Sequence, residues 1–285
     1  MNDSHTSFST ALDSDQIREL MSPLSLKRLA GLGVLEETDS TNSALQRLPL
    51  KQQHGHAVLA ESQTSGRGRR QRKWHSPAGC NIYLSLGWSF EDRRLPLSAL
   101  PLVTAVCTCR ALTRAGLRGH GIKWPNDILA DGAKIAGILV ELQAAPGGPA
   151  HAVIGVGVNV HMAQGEARRR DADASIDRSW TDMESQISHS DRVVLRNEVA
   201  AILLEELLAG VIEYQSTGFS TLKAEWTRLD LLAGQKVRLE LQGKFTEGIA
   251  RGINEDGALL LDVTGADRRV ERQAIHAGEV SVHRD

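Results

Sequence analysis

The chain has 285 residues, of which 41% are apolar and 24% are charged; these fractions are typical of folded proteins and exclude a chain that is disordered throughout. The 33 Lys and Arg residues are balanced by 35 Asp and Glu residues, so binding to a polyanion would need a local concentration of positive charge. The length allows two domains, and the lack of an apolar run of about 20 residues and of a signal segment in residues 1–10 predicts a soluble, cytoplasmic protein.

Strands and helices alternate over most of the chain. Residues 1–32 form an N-terminal extension, in which a short helix at 17–21 ends near Pro23. A strand at 33–36 leads through N-capping residues into a helix at 44–48. Apolar periodicity predicts further strands at 57–61, 81–86, 135–142 and 152–160, and helices at 98–117 and 191–214, the last capped by Asp191.

A different pattern begins near residue 232. Short runs that alternate with Gly-containing turns occupy 236–241, 245–253, 258–263, 269–273 and 279–283. This pattern predicts a small all-β barrel or sandwich, so we divide the chain into a first domain at 33–231 and a second at 232–285. Within the first domain, the polar segment 164–190, which contains Arg168, Arg169 and Arg170, is expected to be an exposed and mobile excursion.

The cysteines and two closely spaced histidines predict no metal site. Cys107 and Cys109 lie two positions apart on a predicted helix, so their side chains point about 200° apart and cannot share a metal ion. Together with Cys80 they are too few for a disulfide framework, and we interpret them as packing residues in a reducing compartment. His54 and His56 have no acidic or cysteine neighbour in the sequence that would complete a site.

Residues 66–74, here called the basic segment, concentrate five cations in nine residues: Gly66-Arg67-Gly68-Arg69-Arg70-Gln71-Arg72-Lys73-Trp74. Its glycines permit close approaches that a Cβ would block, and guanidinium groups bind carboxylates and phosphates through paired hydrogen bonds. The segment therefore predicts an anion site. From these nine residues alone, a solvated basic loop or a nonspecific nucleic-acid patch is as well supported as a specific anion site.

A second candidate is Lys123-Trp124-Pro125-Asn126-Asp127. Pro125 favours an extended Trp124 and starts a turn, so that Lys123 and the pair Asn126 and Asp127 can project from a strand end toward one point. A cation beside an amide and a carboxylate suits a nucleotide and its magnesium ion. The alternative is an Asx-type turn with an exposed lysine.

A third candidate is a strand that begins at Lys134 and contains Gly137, followed by a second strand with Gly155 and Gly157. Small residues in a buried strand leave room for a ligand, or for a second backbone, to lie close to the sheet. Lys134 taken alone is more often a solvated residue. Together the three candidates predict an anion held over a sheet with little side-chain cover.

These motifs resemble those of biotin protein ligases in their order and approximate spacing. The resemblance covers about residues 34–285 and rests on seven segments: Asp39-Ser40-Thr41-Asn42, Gln63 with Gly66 to Arg70, Lys73-Trp74, Asn81 to Ser85, Lys123 to Asp127, Lys134 with Gly137 to Glu141, and Gly155 to Asn159. The pairing of the GRGRR and KWPND segments is the most specific part of it.

The resemblance implies an α+β fold and a two-step reaction. The fold would be a class II aminoacyl-tRNA synthetase-like catalytic domain, with a mixed sheet and helices, followed by a small SH3-like β-barrel. In the first step the biotin carboxylate attacks the α-phosphate of ATP, which gives biotinyl-5'-AMP and pyrophosphate. In the second, a lysine amine of a biotin carboxyl carrier protein attacks the activated carbonyl. ATP and biotin would be substrates, with Mg²⁺ assisting.

The family's functional residues can be assigned by position. The catalytic residues implied are Lys134, Arg67 and Arg69. The biotin site would comprise Ser40, Thr41, Asn42, Gln63, Arg67, Gly68, Arg69, Lys134, Gly137, Gly155 and Gly157. The nucleotide site would comprise Lys123, Asn126, Asp127, Trp74, Arg69 and Arg70, with Asn126 and Asp127 also near Mg²⁺ through the phosphates.

Two other functions are weighed against this one. A lipoate-type acyl-adenylate ligase would share the fold and reaction but not the paired GRGRR and KWPND segments. A nucleic-acid-binding protein using residues 67–73 would show salt-dependent affinity without ATP turnover. Some family members carry an N-terminal winged helix; the 39 residues before Ser40 are too few for a complete one, so no specific DNA binding is expected. A monomer and a homodimer both remain open.

Overall fold

The computed structural model describes residues 11–92, 94–144, 148–162, 179–187, 194–241, 243–265 and 268–282. Several predictions concern residues outside these ranges: the loose first residues, most of the polar segment 164–190 with its three arginines, and the end of the last strand. They stay predictions. The described part of the polar segment, 179–187, differs from the predicted exposed excursion, because Asp182 and Met183 are fully buried.

Seven strands form one mixed sheet. They are β1 (Gly31–Thr38), β2 (His56–Gln63), β3 (Ile82–Phe90), β4 (His120–Lys123), β5 (Asp127–Ala130), β6 (Ala133–Ala144) and β7 (Ala150–Val158). The order across the sheet is β1-β2-β3-β7-β6-β5-β4. Only the β1–β2 pair is parallel, while β3, β7 and β6 form long antiparallel ladders at its centre. All residues of β3 are buried, as its nearly continuous apolar sequence requires.

The helices cover this sheet and frame the site. They are α1 (Ser14–Leu20), α2 (Pro23–Leu26), α3 (Thr41–Gln46), α4 (Leu50–Gln53), α5 (Leu100–Arg114), α6 (Met183–Ile187), α7 (Arg196–Thr217) and α8 (Ser220–Leu229). The long helices α5 and α7 pack against each other and against the sheet, and Cys107 of α5 occupies the space left by the missing side chain of Gly210 on α7. No helix among the described residues is long and apolar enough to cross a membrane.

The predicted cysteine packing agrees with the structure for the helical pair. Cys107 and Cys109 are buried in α5, and burial raises the pKa of the Cys107 thiol to about 12. Cys80 is half-buried, and all three thiols are free. Cys107 and Cys109 therefore behave as small apolar residues of the core.

A second sheet is built from the C-terminal residues. Its strands are β8 (Lys236–Leu241), β9 (Lys244–Ile253), β10 (Leu259–Thr264), β11 (Val270–Ile275) and β12 (Glu279–Val282), all antiparallel in the order β11-β10-β9-β8-β12. The segment that leads into it lies beside β4, where the Leu231 N–H donates to the Ile122 carbonyl at 2.9 Å. The turn between β9 and β10 also contacts this region, because the Trp124 indole N–H donates to the Gly257 carbonyl at 3.1 Å. The start of β12 lies at the site described below, where Glu279 lines the cavity.

The sequence-based elements differ from the structure mainly around residues 120–130 and at α8, a helix of 10 residues that was not predicted. A strand was expected to end near Lys123, where β4 ends, but neither its bounds nor β5 were predicted, because four residues carry too little periodicity to be recognised. The helix predicted from Asp191 begins at Arg196 with Leu195 at its N-cap, so the prediction that Asp191 caps it was wrong. The helix predicted at 98–117 begins at Leu100, after a short 3₁₀ turn at Leu97–Ala99.

Candidate active site

A cavity of about 700 Å³ lies over the central strands β6 and β7. Every residue predicted for the site lines it except Arg70: the lining includes Ser40, Thr41, Asn42, Gln63, Arg67, Gly68, Arg69, Trp74, Lys123, Asn126, Asp127, Lys134, Gly137, Gly155 and Gly157. These residues come from five separate parts of the sequence and thus meet around one cavity.

The floor of the cavity is flat because two glycines face each other across β6 and β7. Gly137 pairs with Gly157 in the ladder, and the indole of Trp74 lies on both. A Cβ at Gly137 would be 2.7 Å from Cζ3 of Trp74, and one at Gly157 would be 2.6 Å from Cε2. The space above Gly155 is filled by the side chain of Asn42. In this structure, therefore, the protein's own side chains occupy space that the sequence assigned to a ligand.

One end of the cavity is a buried polar cluster at the start of α3. The backbone N–H of Thr41 donates to Gln63 Oε1 at 2.9 Å, and the Gln63 amide donates to Ser76 Oγ at 2.9 Å. The Ser85 hydroxyl donates to Asn42 Oδ1 at 2.6 Å. Each hydroxyl and amide in this cluster can both donate and accept, so the cluster suits a small ligand that carries both kinds of polar group.

The opposite end carries charge. Lys134 Nζ is 2.7 Å from Asp127 Oδ1, and Arg69 Nη1 donates to Asn126 Oδ1 at 3.4 Å. Burial lowers the pKa of the Arg69 guanidinium from its usual value, although an arginine stays charged under such a shift. Lys134 Nζ also lies 5.0 Å from the ring centroid of Trp74, within the range of a cation–π contact.

The basic segment folds into a small hairpin over the cavity. Arg67 and Lys73 form an antiparallel bridge, and the Trp74 N–H donates to the Gly66 carbonyl at 2.8 Å. At the tip, Arg70 and Gln71 have φ angles of 54° and 61°, which non-glycine residues rarely adopt. This turn separates Arg67 and Arg69, which line the cavity, from the exposed tip.

Besides the Arg69–Asn126 hydrogen bond, two ion pairs and a hydrogen bond from Arg70 hold the hairpin in place. Arg67 Nη2 is 2.9 Å from Glu141 Oε2 on β6, and Arg72 Nη2 is 2.5 Å from Glu279 Oε2 on β12. Arg70 is exposed and donates to the Glu240 carbonyl at 3.3 Å, so the structure does not bring it to the cavity with the other predicted nucleotide residues.

Sequence reasoning missed several residues that line the cavity or contact its lining. Trp180 lines it, because residues 179–181 pair along β6: the Lys134 N–H donates to the Ser179 carbonyl and the Thr181 N–H to the Lys134 carbonyl, each at 3.0 Å. Glu279 reaches it from the second sheet. Ser85 had a detectable signal, a polar residue in an apolar strand that is fully buried, whereas nothing local to Trp180 or Glu279 indicates the cavity.

The candidate histidine pair has a structural explanation. The His54 ring stacks on Trp88 with ring centroids 4.3 Å apart, and its Nδ1 accepts a hydrogen bond from the Ser89 N–H at 3.1 Å. Over the described part of the chain, no group of three or more His, Cys, Asp or Glu residues is arranged to hold a metal ion.

Comparison with known proteins decides between the candidate functions. Residues 34–159 match the Biotin/lipoate A/B protein ligase family, and residues 233–282 match the Biotin protein ligase C terminal domain. The bifunctional ligase/repressor BirA of Escherichia coli is 36% identical over 82% of this chain and 70% of its own length. The biotin–[acetyl-CoA-carboxylase] ligase of Mycobacterium tuberculosis is 36% identical over 89% of this chain and 94% of its own. The chain belongs to the biotin protein ligase family.

The solved structures agree with this membership. The biotin protein ligase of Aquifex aeolicus, in complex with biotin and ATP, superposes with a TM-score of 0.70 and 26% identity over 90% of this chain and 99% of that one. The predicted fold class is confirmed: a class II synthetase-like α+β catalytic domain followed by a C-terminal antiparallel sheet. The predicted enzyme class is also confirmed, since this family member is an ATP-dependent biotin protein ligase, and neither alternative function is favoured.

Proposed function

We propose that the cavity binds biotin at its polar end and ATP at its charged end, and that the product of their reaction is transferred to a lysine of a biotin carboxyl carrier protein. The observation that carries this proposal is the meeting of the polar cluster, the cations of the basic segment and the Lys134–Asp127 pair in one cavity. We place the catalytic domain at 33–231 and the C-terminal domain at 232–285.

Biotin recognition is assigned to the polar cluster at the start of α3. The ureido ring of biotin carries two N–H donors and one carbonyl acceptor, and an unpaired buried polar group costs about 1–3 kcal/mol. Ser40, Thr41 and Asn42 are all buried, so they are held ready before the ligand arrives. The glycine floor provides a flat surface for the bicyclic ring of biotin. Either Trp74 would move away from this floor when biotin binds, or biotin would lie beside it.

The charged end is assigned to activation of the carboxylate. The biotin carboxylate forms a bond to the α-phosphorus of ATP, and the bond to pyrophosphate breaks. Two like charges at about 4 Å repel by roughly 4 kcal/mol at an effective dielectric near 20, so cations must already be in place. Lys134 and Arg69 lie on this side of the cavity, with Arg67 at its rim.

Asn126 and Asp127 fit a magnesium ion that is held mainly by the nucleotide phosphates. Their amide and carboxylate oxygens are the hard donors that Mg²⁺ prefers, and Mg²⁺ commonly binds through one or two carboxylates, several waters and substrate phosphates. Asp127 is buried and pairs with Lys134, so a carboxylate and a cation would both be at hand for a metal–phosphate complex in this part of the cavity. The ion would neutralise charge on the phosphates.

Transfer to the carrier completes the reaction. The lysine amine of the carrier attacks the carbonyl of the mixed anhydride, an amide bond forms, and AMP leaves with the bonding electron pair. The relatives named biotin–[acetyl-CoA-carboxylase] ligase support a carboxyl carrier protein as the acceptor.

The proposal is tested by following each half-reaction with the full-length protein. Biotin should support exchange of labelled pyrophosphate into ATP, and a biotin carboxyl carrier domain should become biotinylated when Mg²⁺, ATP and biotin are all present. Lipoate in place of biotin is the matched substrate control. Exchange driven by lipoate alone, or DNA binding with steep salt dependence and no exchange, would overturn the proposal.

Two finer expectations accompany it. No specific DNA binding is expected, and the protein is either a monomer or a homodimer. Gel-shift titration with random and promoter DNA, together with light scattering of the free and the biotin-loaded protein, measures both properties.

A further inference from the structure

One carboxylate oxygen beside the cavity accepts hydrogen bonds from three side chains. Glu141 Oε2 on β6 is 2.8 Å from Asn42 Nδ2, 2.9 Å from Arg67 Nη2 and 3.4 Å from Gln46 Nε2. The resemblance to the family assigned no role to Glu141. We propose that Glu141 is a positioning residue, which orients the Asn42 amide toward biotin and anchors Arg67 of the basic segment; this inference rests on the proposed biotin site.

The first part of the argument concerns the orientation of Asn42. An amide has two N–H donors on nitrogen and an oxygen that only accepts. The nitrogen of Asn42 donates to Glu141 at 2.8 Å and also reaches the Leu139 carbonyl at 3.4 Å, and both of these partners only accept. The opposite rotamer would set the amide oxygen against the carboxylate of Glu141. The charge of Glu141 therefore fixes which way the amide faces.

The consequence for ligand recognition is directional. With its nitrogen occupied, Asn42 can offer a ligand only its oxygen, which already accepts from the Ser85 hydroxyl at 2.6 Å and has a second lone pair. An oxygen acceptor suits a ureido N–H and rejects a carbonyl in the same place. A site built for a hydrogen bond discriminates strongly against ligands that lack the matching group.

The second part concerns the basic segment. Glu141 holds Arg67 at the start of the segment. The same hydrogen-bonded cluster continues through Thr41 and Gln63 to Ser76, whose hydroxyl donates to the Trp74 carbonyl at 3.1 Å. The polar cluster therefore contacts the basic segment at both ends. Among the described residues, Glu141 is the one carboxylate that pairs with Arg67 at the first of these ends.

The test compares Glu141→Gln with Glu36→Gln, which makes the same change at an exposed glutamate of β1. Calorimetric titration of the full-length protein with biotin should show a dissociation constant raised about tenfold in the Glu141 variant, a change of about 1.4 kcal/mol, because the charge of Glu141 strengthens the hydrogen bonds that it accepts. The Glu36 variant should match the parent, and the affinity of both for ATP should stay within about twofold.

Two further measurements separate positioning from general stability. Biotin analogues methylated at either ureido nitrogen should be discriminated less well by Glu141→Gln than by the parent. In an Asn42→Ala background, Glu141→Gln should weaken biotin binding by less than about threefold, because coupled residues are not additive. Glu141→Asp, which keeps the charge on a shorter side chain, serves if the glutamine variant does not fold.

The outcomes are distinguishable from failure of the proposed function. If the parent protein binds no biotin, the proposed function itself is wrong. If the parent binds biotin, but the Glu141 variants bind it equally well, or lose affinity without any change in analogue discrimination, the positioning role of Glu141 is wrong.

Discussion

The floor and the roof of the cavity are built in opposite ways. The floor consists of strand residues and of the buried polar side chains of Thr41, Asn42 and Ser85, each 4% exposed or less. The roof is the basic segment. Its cations Arg67 and Arg72 are 40% and 47% exposed, and each is held by one ion pair through its guanidinium group. Buried hydrogen-bonded groups are costly to rearrange, whereas exposed ion pairs contribute about 0–1 kcal/mol.

This difference separates the recognition of biotin, which depends on the floor, from the retention of the adenylate, which depends on the roof. A floor that is arranged before binding contributes to affinity and to chemistry, because no reorganisation is needed when charge develops. The arginines of the roof are held by exposed ion pairs and can change position at little cost, as parts of segments that open and close over reactive intermediates must. Changes in the floor should therefore act on biotin binding and on catalysis, and changes in the roof mainly on how long the adenylate stays bound.

The largest effect is expected from Lys134→Ala, at the charged end of the floor. Lys134 Nζ lies beside Asp127 and above the Trp74 ring, where it can stabilise charge on the reacting phosphate. Removing one preorganised electrostatic group typically lowers the rate by about 10²–10³. Biotin-dependent exchange of pyrophosphate into ATP measures the loss. Lys236→Ala, at an exposed position of β8, is the control, and exchange within a few-fold of the parent in the Lys134 variant would refute the catalytic role.

Gly157→Ala tests the flatness of the floor. Its methyl group would lie 2.6 Å from Cε2 of Trp74, so the indole must leave its place on the sheet. Overpacking of this kind costs about 1–3 kcal/mol, and we expect biotin-dependent exchange to fall roughly 30-fold with a change in tryptophan fluorescence. Gly33→Ala is the matched control, because a Cβ there has no atom within 4 Å. An equal response of both variants would show that the glycine pair has no special role.

Arg69→Ala tests the roof of the cavity instead of its floor. The Arg69 guanidinium reaches Asn126 and lines the cavity, so its loss should speed release of biotinyl-5'-AMP about tenfold, the value of one charge-assisted hydrogen bond. Release is measured by rapid filtration of preformed adenylate. Arg70→Ala is the informative neighbour: Arg70 contacts Glu240 outside the cavity, so its effect should be smaller. Equal effects would restore Arg70 to the nucleotide site, and an unchanged rate in the Arg69 variant would leave Arg69 as surface charge.

The parts of the site that could be predicted from sequence are those in which a few consecutive residues carry the chemistry. The basic segment and the 123–127 pentapeptide combine charge, glycine and proline within a few positions, and almost all of their predicted residues line the cavity. The long helices and the central strands were recognised for a similar reason, because their apolar periodicity extends over many residues.

What escaped prediction depends on contacts between distant residues. Glu141 and Asn42 are separated by 99 positions and Arg72 and Glu279 by 207, so no local pattern links them. The glycines were predicted to leave space, but only packing shows that Trp74 and Asn42 fill it. Arg69 and Arg70 look equivalent in sequence. The backbone turn with positive φ at Arg70 and Gln71 is what separates their side chains.

The smallest effect is expected from Glu279→Gln, which weakens the link between the roof and the second sheet. Glu279 pairs with Arg72 at 2.5 Å, and Arg72 is half exposed, so solvent screens the pair and its loss should cost less than about 1 kcal/mol. Without ligand, trypsin should then cut within residues 66–74 two- to threefold faster, as about 0.5 kcal/mol implies when cleavage follows the open population. Glu271→Gln, at an exposed position of β11, controls for the charge change. Since the floor is untouched, biotin affinity should stay at the parent value, and a loss of biotin affinity as large as that of Gly157→Ala would mean that floor and roof are not separable.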